Sequence, residues 1–179
     1  MDNRRNFIKK TTLGTLGVSS ILGCENQSKT IVKPVYPRII STWNHGLEAN
    51  QKAWDILKNG QGGLSAVEEG VKVSEADPKI RSVGLGGYPD RDGIVTLDAC
   101  IMDKNSNCGS VSFLQNIKHP ISVARHVMEN TPHVMLSGKG ALDFAISKGF
   151  VQENLLTEAS KKDWICLLYT SPSPRDGHQ

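Results

Sequence analysis

The chain has 179 residues, 38% hydrophobic and 22% charged, which is enough to bury one respectable core. Its 21 basic and 18 acidic residues leave a net charge of +3. Arg4, Arg5, Lys9 and Lys10, set against Asp2, account for all of that excess, so the body is balanced and a nucleic-acid-binding role is disfavoured.

Residues 1–24 read as an export leader. Arg4-Arg5 followed by Phe7-Ile8-Lys9 resembles a twin-arginine signal. The apolar run from Thr11 to Leu22 is too short and too polar to span a bilayer. Ile21-Leu22-Gly23-Cys24 resembles a bacterial lipobox, in which Cys24 is acylated and becomes the new N-terminus; the alternative is an ordinary cleaved leader with an incidental cysteine. The expectation is an exported, periplasmic protein, or a lipoprotein that meets the membrane only through its lipid. Residues 25–37, polar and interrupted by Pro34 and Pro37, read as a tether.

The body runs over residues 38–164. Ile39 and Ile40 start a predicted buried strand, whose polar end carries Trp43 into a loop. Trp43 there is either a site residue or a core aromatic. His45 has no His or Cys partner at metal spacing and reads as a partly exposed loop histidine, so no metal is expected. Two helices follow. Ala49, Ala53, Ile56 and Leu57 stripe the first, which Gly60 stops. Ala66, Val67, Gly70, Val71 and Ser74 share a face of the second, small enough to approach a sheet closely, and Asp77-Pro78 ends it.

Gly84, Gly86 and Gly87 lead into Tyr88-Pro89-Asp90-Arg91-Asp92-Gly93, a turn and not a helix start. A dinucleotide fingerprint is therefore rejected, and no cofactor is expected. Asp90 and Asp92 lack the later Glu of a calcium loop. A hairpin is predicted from Ile94 to Met102 and from Cys108 to Phe113. Val95, Leu97, Ala99 and Ile101 share one face, with Thr96, Asp98 and Cys100 on the other. Both faces are largely apolar, so the hairpin is expected between two layers, with Asp98 a buried carboxylate satisfied by backbone N–H groups. A turn centred near Asn105 sets Cys100 opposite Ser110. A bridge between Cys100 and Cys108 stays open in an oxidising compartment, but two separate buried thiols are the expectation.

Further on come a helix from Pro120 to Asn130, a short strand at Val134-Met135-Leu136, a helix from Gly138 to Lys148 stopped by Gly149, and a helix from Leu155 to Trp164 with Thr157 as a cap. Residues 165–179 read as foreign to the fold. Cys166-Leu-Leu-Tyr-Thr-Ser-Pro-Ser-Pro-Arg-Asp resembles translated adapter sequence, and Pro172 and Pro174 forbid a continued helix. The order of elements gives a layered α/β sandwich without internal repeat or second domain boundary.

Several stretches carry a family resemblance. They are Ser41-Thr-Trp-Asn-His-Gly46, Arg81-Ser-Val-Gly-Leu-Gly-Gly87, Pro89-Asp-Arg-Asp-Gly93 and Thr96-Leu-Asp-Ala-Cys-Ile-Met-Asp103. Pro120-Ile-Ser-Val-Ala-Arg125, Thr131-Pro-His-Val-Met-Leu136 and Glu153-Asn-Leu-Leu-Thr157 join them. In this order they resemble glycosylasparaginase, over about Arg38 to Trp164. The resemblance implies an N-terminal-nucleophile hydrolase with a four-layer αββα fold, here partial, cleaving the amide between N-acetylglucosamine and asparagine. Such a precursor cuts itself before a Thr, whose freed α-amine serves as base for its own hydroxyl. In the family that Thr follows His-Asp and opens the second subunit. This chain has no His-Asp-Thr, and Thr170 follows Leu168-Tyr169. The resemblance therefore implies the leading subunit alone, without the catalytic Thr, inactive until its β-subunit is present and oligomeric when complete. Trp43 carries over as the aromatic wall of the glycoasparagine pocket. His45 stands where bacterial members tend to carry Phe. A plant-type asparaginase or isoaspartyl peptidase is the alternative enzyme, and a binding lipoprotein without catalysis is the alternative of another class.

Overall fold

The computed structural model describes residues 37–170. The predicted leader, with Cys24, most of the tether and the last nine residues of the predicted tail lie outside the described residues. Within them the order is α1 (Gly46–Lys58), α2 (Gly63–Ala76), β1 (Thr96–Met102), β2 (Cys108–Gln115), α3 (Pro120–Asn130), β3 (Met135–Ser137), α4 (Gly138–Ser147) and α5 (Glu158–Thr170).

The three strands form one sheet in the order β1-β2-β3. β1 and β2 pair antiparallel, with Cys100 opposite Ser110 as the turn predicts. Asp103 ties that turn. Its Oδ1 accepts the Asn105 and Asn107 N–H groups at 2.8 and 2.9 Å, and its Oδ2 accepts Asn107 Nδ2 at 2.8 Å. The Asn107 side chain, more than any other contact, holds the Asp103 carboxyl below its ordinary value. β3 joins β2 in parallel, after α3 has crossed between them.

Helices α3 and α4 cover one face of the sheet. Ile101, Val111, Leu114, Val123, Ala124, Val127, Ala141 and Ala145 form a single buried cluster there. Full burial of a side chain such as Leu114 contributes roughly 1.5–3 kcal/mol. Gly109 lets the strand reach the helix: a Cβ there would meet Ala124 O at 2.2 Å and Met128 N at 2.5 Å. Pro120 opens α3, where a missing N–H costs nothing. α4 ends in a Schellman arrangement, with the Phe150 N–H on Ala145 O and Gly149 at φ +87°. Thr157 caps α5 as expected, its Oγ1 accepting the Ser160 N–H at 3.3 Å.

Several expectations are corrected. The hairpin is not enclosed between two layers among the described residues. Val95, Leu97 and Ile101 are buried, while Asp98, Cys100 and Met102 on the other face are exposed because no described element covers it. Asp98 is thus not buried, yet it does accept a backbone N–H. Cys100 is an exposed free thiol and Cys108 a half-buried one. Ile39 and Ile40 form no strand. A strand needs a bonded neighbour, residues 37–41 have none in the sheet, and Ile40 is 91% exposed. The small-residue stripe of α2 approaches α1 and not a sheet: a Cβ on Gly70 would meet Ala49 O at 2.8 Å. β1 starts at Thr96, later than predicted, because the Ile94 backbone is taken by Asp90 on both its N–H and its carbonyl. α5 continues six residues past Trp164 to Thr170, since Ile165-Cys-Leu-Leu-Tyr is compatible with helix and Pro172 lies beyond its end.

Candidate functional site

The loop ahead of α1 displays Trp43. The Trp43 carbonyl accepts the Gly46 N–H at 2.8 Å, and the Asn44 carbonyl accepts the Leu47 N–H at 3.2 Å, so the loop turns directly into the helix. Ser41 folds back on Gly46: a Cβ there would meet Ser41 Oγ at 2.1 Å, which only glycine tolerates. On its other side His45 Nδ1 lies 3.3 Å from Ser74 Oγ, pinning the turn to α2. The Trp43 ring is 72% exposed. A large aromatic held in water on a doubly anchored turn is a poor core residue and a usable contact surface.

Next to it Ile39, Ile40 and Ser41 lie over α1 and α2 and line a cavity of about 380 Å³ with Ala53, Ala66 and Gly70. Trp43 is not among its walls.

The glycine loop is structural at its backbone. The Leu85 N–H donates to Glu75 O at 2.8 Å, the Gly86 N–H to Leu155 O at 2.8 Å, and the Ser160 hydroxyl to Gly86 O. Those amides are spent on the protein and cannot cradle a phosphate, in line with the sequence. Asp90 Oδ1 accepts the Asp92 and Ile94 N–H groups at 3.0 and 2.9 Å, the plain turn expected of it.

Sequence reasoning missed Glu75. It is 2% exposed, in the last turn of α2, and its side chain bonds His119 and the Ile121 N–H at the start of α3. Its spacing of four from Val71 puts it on the apolar face and is the signal that finds it. Glu75, Ser82, Thr96, Asp98, Cys100 and Ile121 line a cavity of about 330 Å³ along the edge of β1 that pairs with no strand among the described residues.

Among the described residues no group of three or more His, Cys, Asp or Glu side chains is placed to hold a metal ion. Thr170 bonds its own helix, its Oγ1 donating to Cys166 O at 2.9 Å. A hydroxyl satisfied within its helix and joined to no base among the described residues is not an activated nucleophile. What the described residues offer is an aromatic contact surface and a shaped sheet edge; the Ser74 hydroxyl beside His45 is buried under the turn it pins and lines neither cavity.

Residues 29–172 match the family described as Asparaginase. The chain is 55% identical, over 95% of its length, to the N(4)-(beta-N-acetylglucosaminyl)-L-asparaginase of Elizabethkingia miricola, and spans 51% of that protein. It is 41% identical over 80% of its length to a putative N(4)-(beta-N-acetylglucosaminyl)-L-asparaginase of Drosophila grimshawi, spanning 40% of it. It is 42% identical over 72% of its length to the N(4)-(beta-N-acetylglucosaminyl)-L-asparaginase of Mus musculus, spanning 38% of it. The chain thus spans about half of the length of the first of these relatives and about two fifths of the other two.

Proposed function

The chain belongs to the asparaginase family, and from that membership we propose that it forms the leading half of an amidohydrolase that cleaves the bond between N-acetylglucosamine and asparagine. The observation that carries the proposal is the 55% identity over 95% of the chain to a relative of that name. The names of the fly and mouse relatives favour glycoasparagine over free asparagine or an isoaspartyl peptide as substrate.

In this reading the chemistry belongs to the half that the relatives possess beyond the span of this chain. That half supplies a Thr freed by self-cleavage. Its α-amine titrates near neutrality, takes the proton of its own hydroxyl and leaves an alkoxide to attack the amide carbonyl. The described residues fit the complementary role. They display Trp43 on a pinned turn beside the predicted first strand, and the Ser74 hydroxyl next to His45 is buried away from it. Trp43 forms one wall of the substrate pocket. The second half also completes the four-layer αββα sandwich, laying a sheet on the open face of the hairpin and giving the segment at Ile39 and Ile40 a strand to pair with. The finished enzyme is an oligomer. Residues 1–24 direct export, and Cys24 carries the lipid that tethers the protein on the periplasmic or outer side.

The test uses the complete protein. Purified wild type and Trp43→Ala are compared for subunit formation on a gel and for turnover of an N-acetylglucosaminyl-asparagine, L-asparagine and an isoaspartyl dipeptide. The proposal expects the glycoasparagine to give the highest kcat/KM, and Trp43→Ala to lower it at least tenfold while self-cleavage persists. Preference for the isoaspartyl dipeptide would move the protein to the peptidase branch. Unchanged kinetics in Trp43→Ala would remove that residue from the pocket.

A further inference from the structure

Three segments converge on Glu75. A carboxylate that is 2% exposed is tolerable only when its oxygens are bonded, and both are. Oε1 accepts the Ile121 N–H at 3.1 Å, one of the donors a helix leaves open in its first turn. Oε2 lies 3.1 Å from Nδ1 of His119, which precedes α3 and makes no side-chain cap bond. The Glu75 carbonyl oxygen accepts the Leu85 N–H at 2.8 Å, and a Cβ on Gly84 would meet that oxygen at 2.0 Å. The end of α2, the start of α3 and the glycine loop are therefore joined at one residue. The His119 side chain is 25% exposed, so the pair exchanges protons with solvent.

We propose that Glu75 and His119 form a proton-sharing clamp on this junction, one that tightens on mild acidification and loosens as the pH rises. It stands on this chain's own residues and holds whichever amide the complete protein cleaves.

The groups that face the pair are few. On α2, Lys72 adds positive charge from one turn away but is engaged by Glu69 at 2.7 Å. From β1, Asp98 and Cys100 line the same cavity as Glu75, and Ser82, Val83 and Gly84 line it from the glycine loop without adding an ionisable side chain. Further along α3, Arg125 is taken by Glu68 and Glu129. His119 is the one ionisable side chain bonded to Glu75 among the described residues. Burial therefore wins: it pushes the Glu75 carboxyl above its ordinary value, against the opposing pull of His119, the Ile121 N–H and Lys72. Both bonds survive protonation. One oxygen still accepts from Ile121, while the other donates to a neutral imidazole or accepts from a charged one.

The sign follows from linkage. The folded chain holds this proton more tightly than the unfolded one. The stability tied to Glu75 is fully present below the ordinary glutamate pKa and is lost as the pH rises through the raised one. The experiment compares melting temperatures of the full chain and Glu75→Gln from about pH 4.5 to about pH 7.5. Glutamine keeps the bonding shape and cannot titrate. The wild type's lead over the variant should be largest in acid and shrink by roughly 2–4 °C per pH unit on the way up. A constant lead, or one that grows with pH, overturns the clamp. Should Glu75→Gln fold poorly, hydrogen exchange in the unaltered chain decides. The Ile121 and Leu85 amides should gain protection in acid relative to the amides of α4, and equal behaviour of the two sets overturns it.

Discussion

Asp98 Oδ1 accepts the backbone N–H of Phe113 at 2.8 Å, across the irregularity in the hairpin register between Leu97 and Ala99. Ser112 and Phe113 there face a single residue, a β-bulge, and Phe113 sits at φ +51°, a region bulky residues avoid. The carboxylate occupies the N–H that the bulge frees. Asp98→Ala should destabilise the chain by about 1 kcal/mol, and Asp98→Asn, which keeps an acceptor, by less than half of that. Urea unfolding of the three proteins checks it, and equal losses in both variants would detach the effect from the bond.

Arg125 staples α3 to α2. Its Nη1 donates to Glu68 Oε2 at 2.7 Å and to Ser65 Oγ at 3.2 Å, while Ser122 Oγ donates to Glu68 Oε1 at 2.6 Å. Burial raises the Glu68 carboxyl, but Ser122 and Arg125 together outweigh it and hold the group below its ordinary value. Stability tied to Glu68 is therefore present above the ordinary glutamate pKa and lost as the pH falls through the lowered one, the reverse of Glu75. Glu68→Gln should lag the wild type at neutral pH and draw level with it in acid, as melting curves would record. Arg125→Met should cost roughly 1–2 kcal/mol at neutral pH.

Gly109→Ala should be among the costlier single changes. Its Cβ would strike two backbone atoms of α3, which move only with the whole helix. A loss of roughly 3 kcal/mol is expected. Gly140→Ala is the matched control, since a Cβ there meets nothing within 4 Å in α4. It should leave stability unchanged or raise it by about 0.5 kcal/mol. Similar denaturation midpoints for the two variants would contradict the close approach of β2 and α3.

Elements whose signals are local were legible in the sequence. Pro120 and Asn130 mark α3 to the residue, Gly149 takes the left-handed conformation that ends α4, and the polar turn around Asn105 fixes the pairing of Cys100 with Ser110. What failed depended on partners. Ile39 and Ile40 have the composition of a strand, but no neighbour among the described residues gives them a ladder. The alternation in β1 points Asp98 and Cys100 to the interior, but that pattern cannot tell a covered sheet face from an open one. The stripe of Ala66, Gly70 and Ser74 announces a close approach without naming the neighbour, which is α1. For the site, Trp43 came from family resemblance and not from spacing. Glu75 was legible only as a charged residue on an apolar helix face.

Lipidation at Cys24 is open to a direct check. In a bacterial host fed labelled palmitate, the complete protein should take up label and fractionate with membranes. Cys24→Ser should do neither. Equal labelling of both proteins, or of neither, would return residues 1–24 to an ordinary cleaved leader.

The most direct measurement is turnover by the 179-residue chain itself, set beside the complete protein under the same conditions and followed as N-acetylglucosamine released from an N-acetylglucosaminyl-asparagine. Without a covalent nucleophile only binding and electrostatic help remain, which typically leaves activity several orders of magnitude lower. The predicted result is release by the complete protein and none by the chain at any concentration that stays in solution. Release that rises in proportion to the concentration of the purified chain would contradict the assignment of the chemistry to the other half.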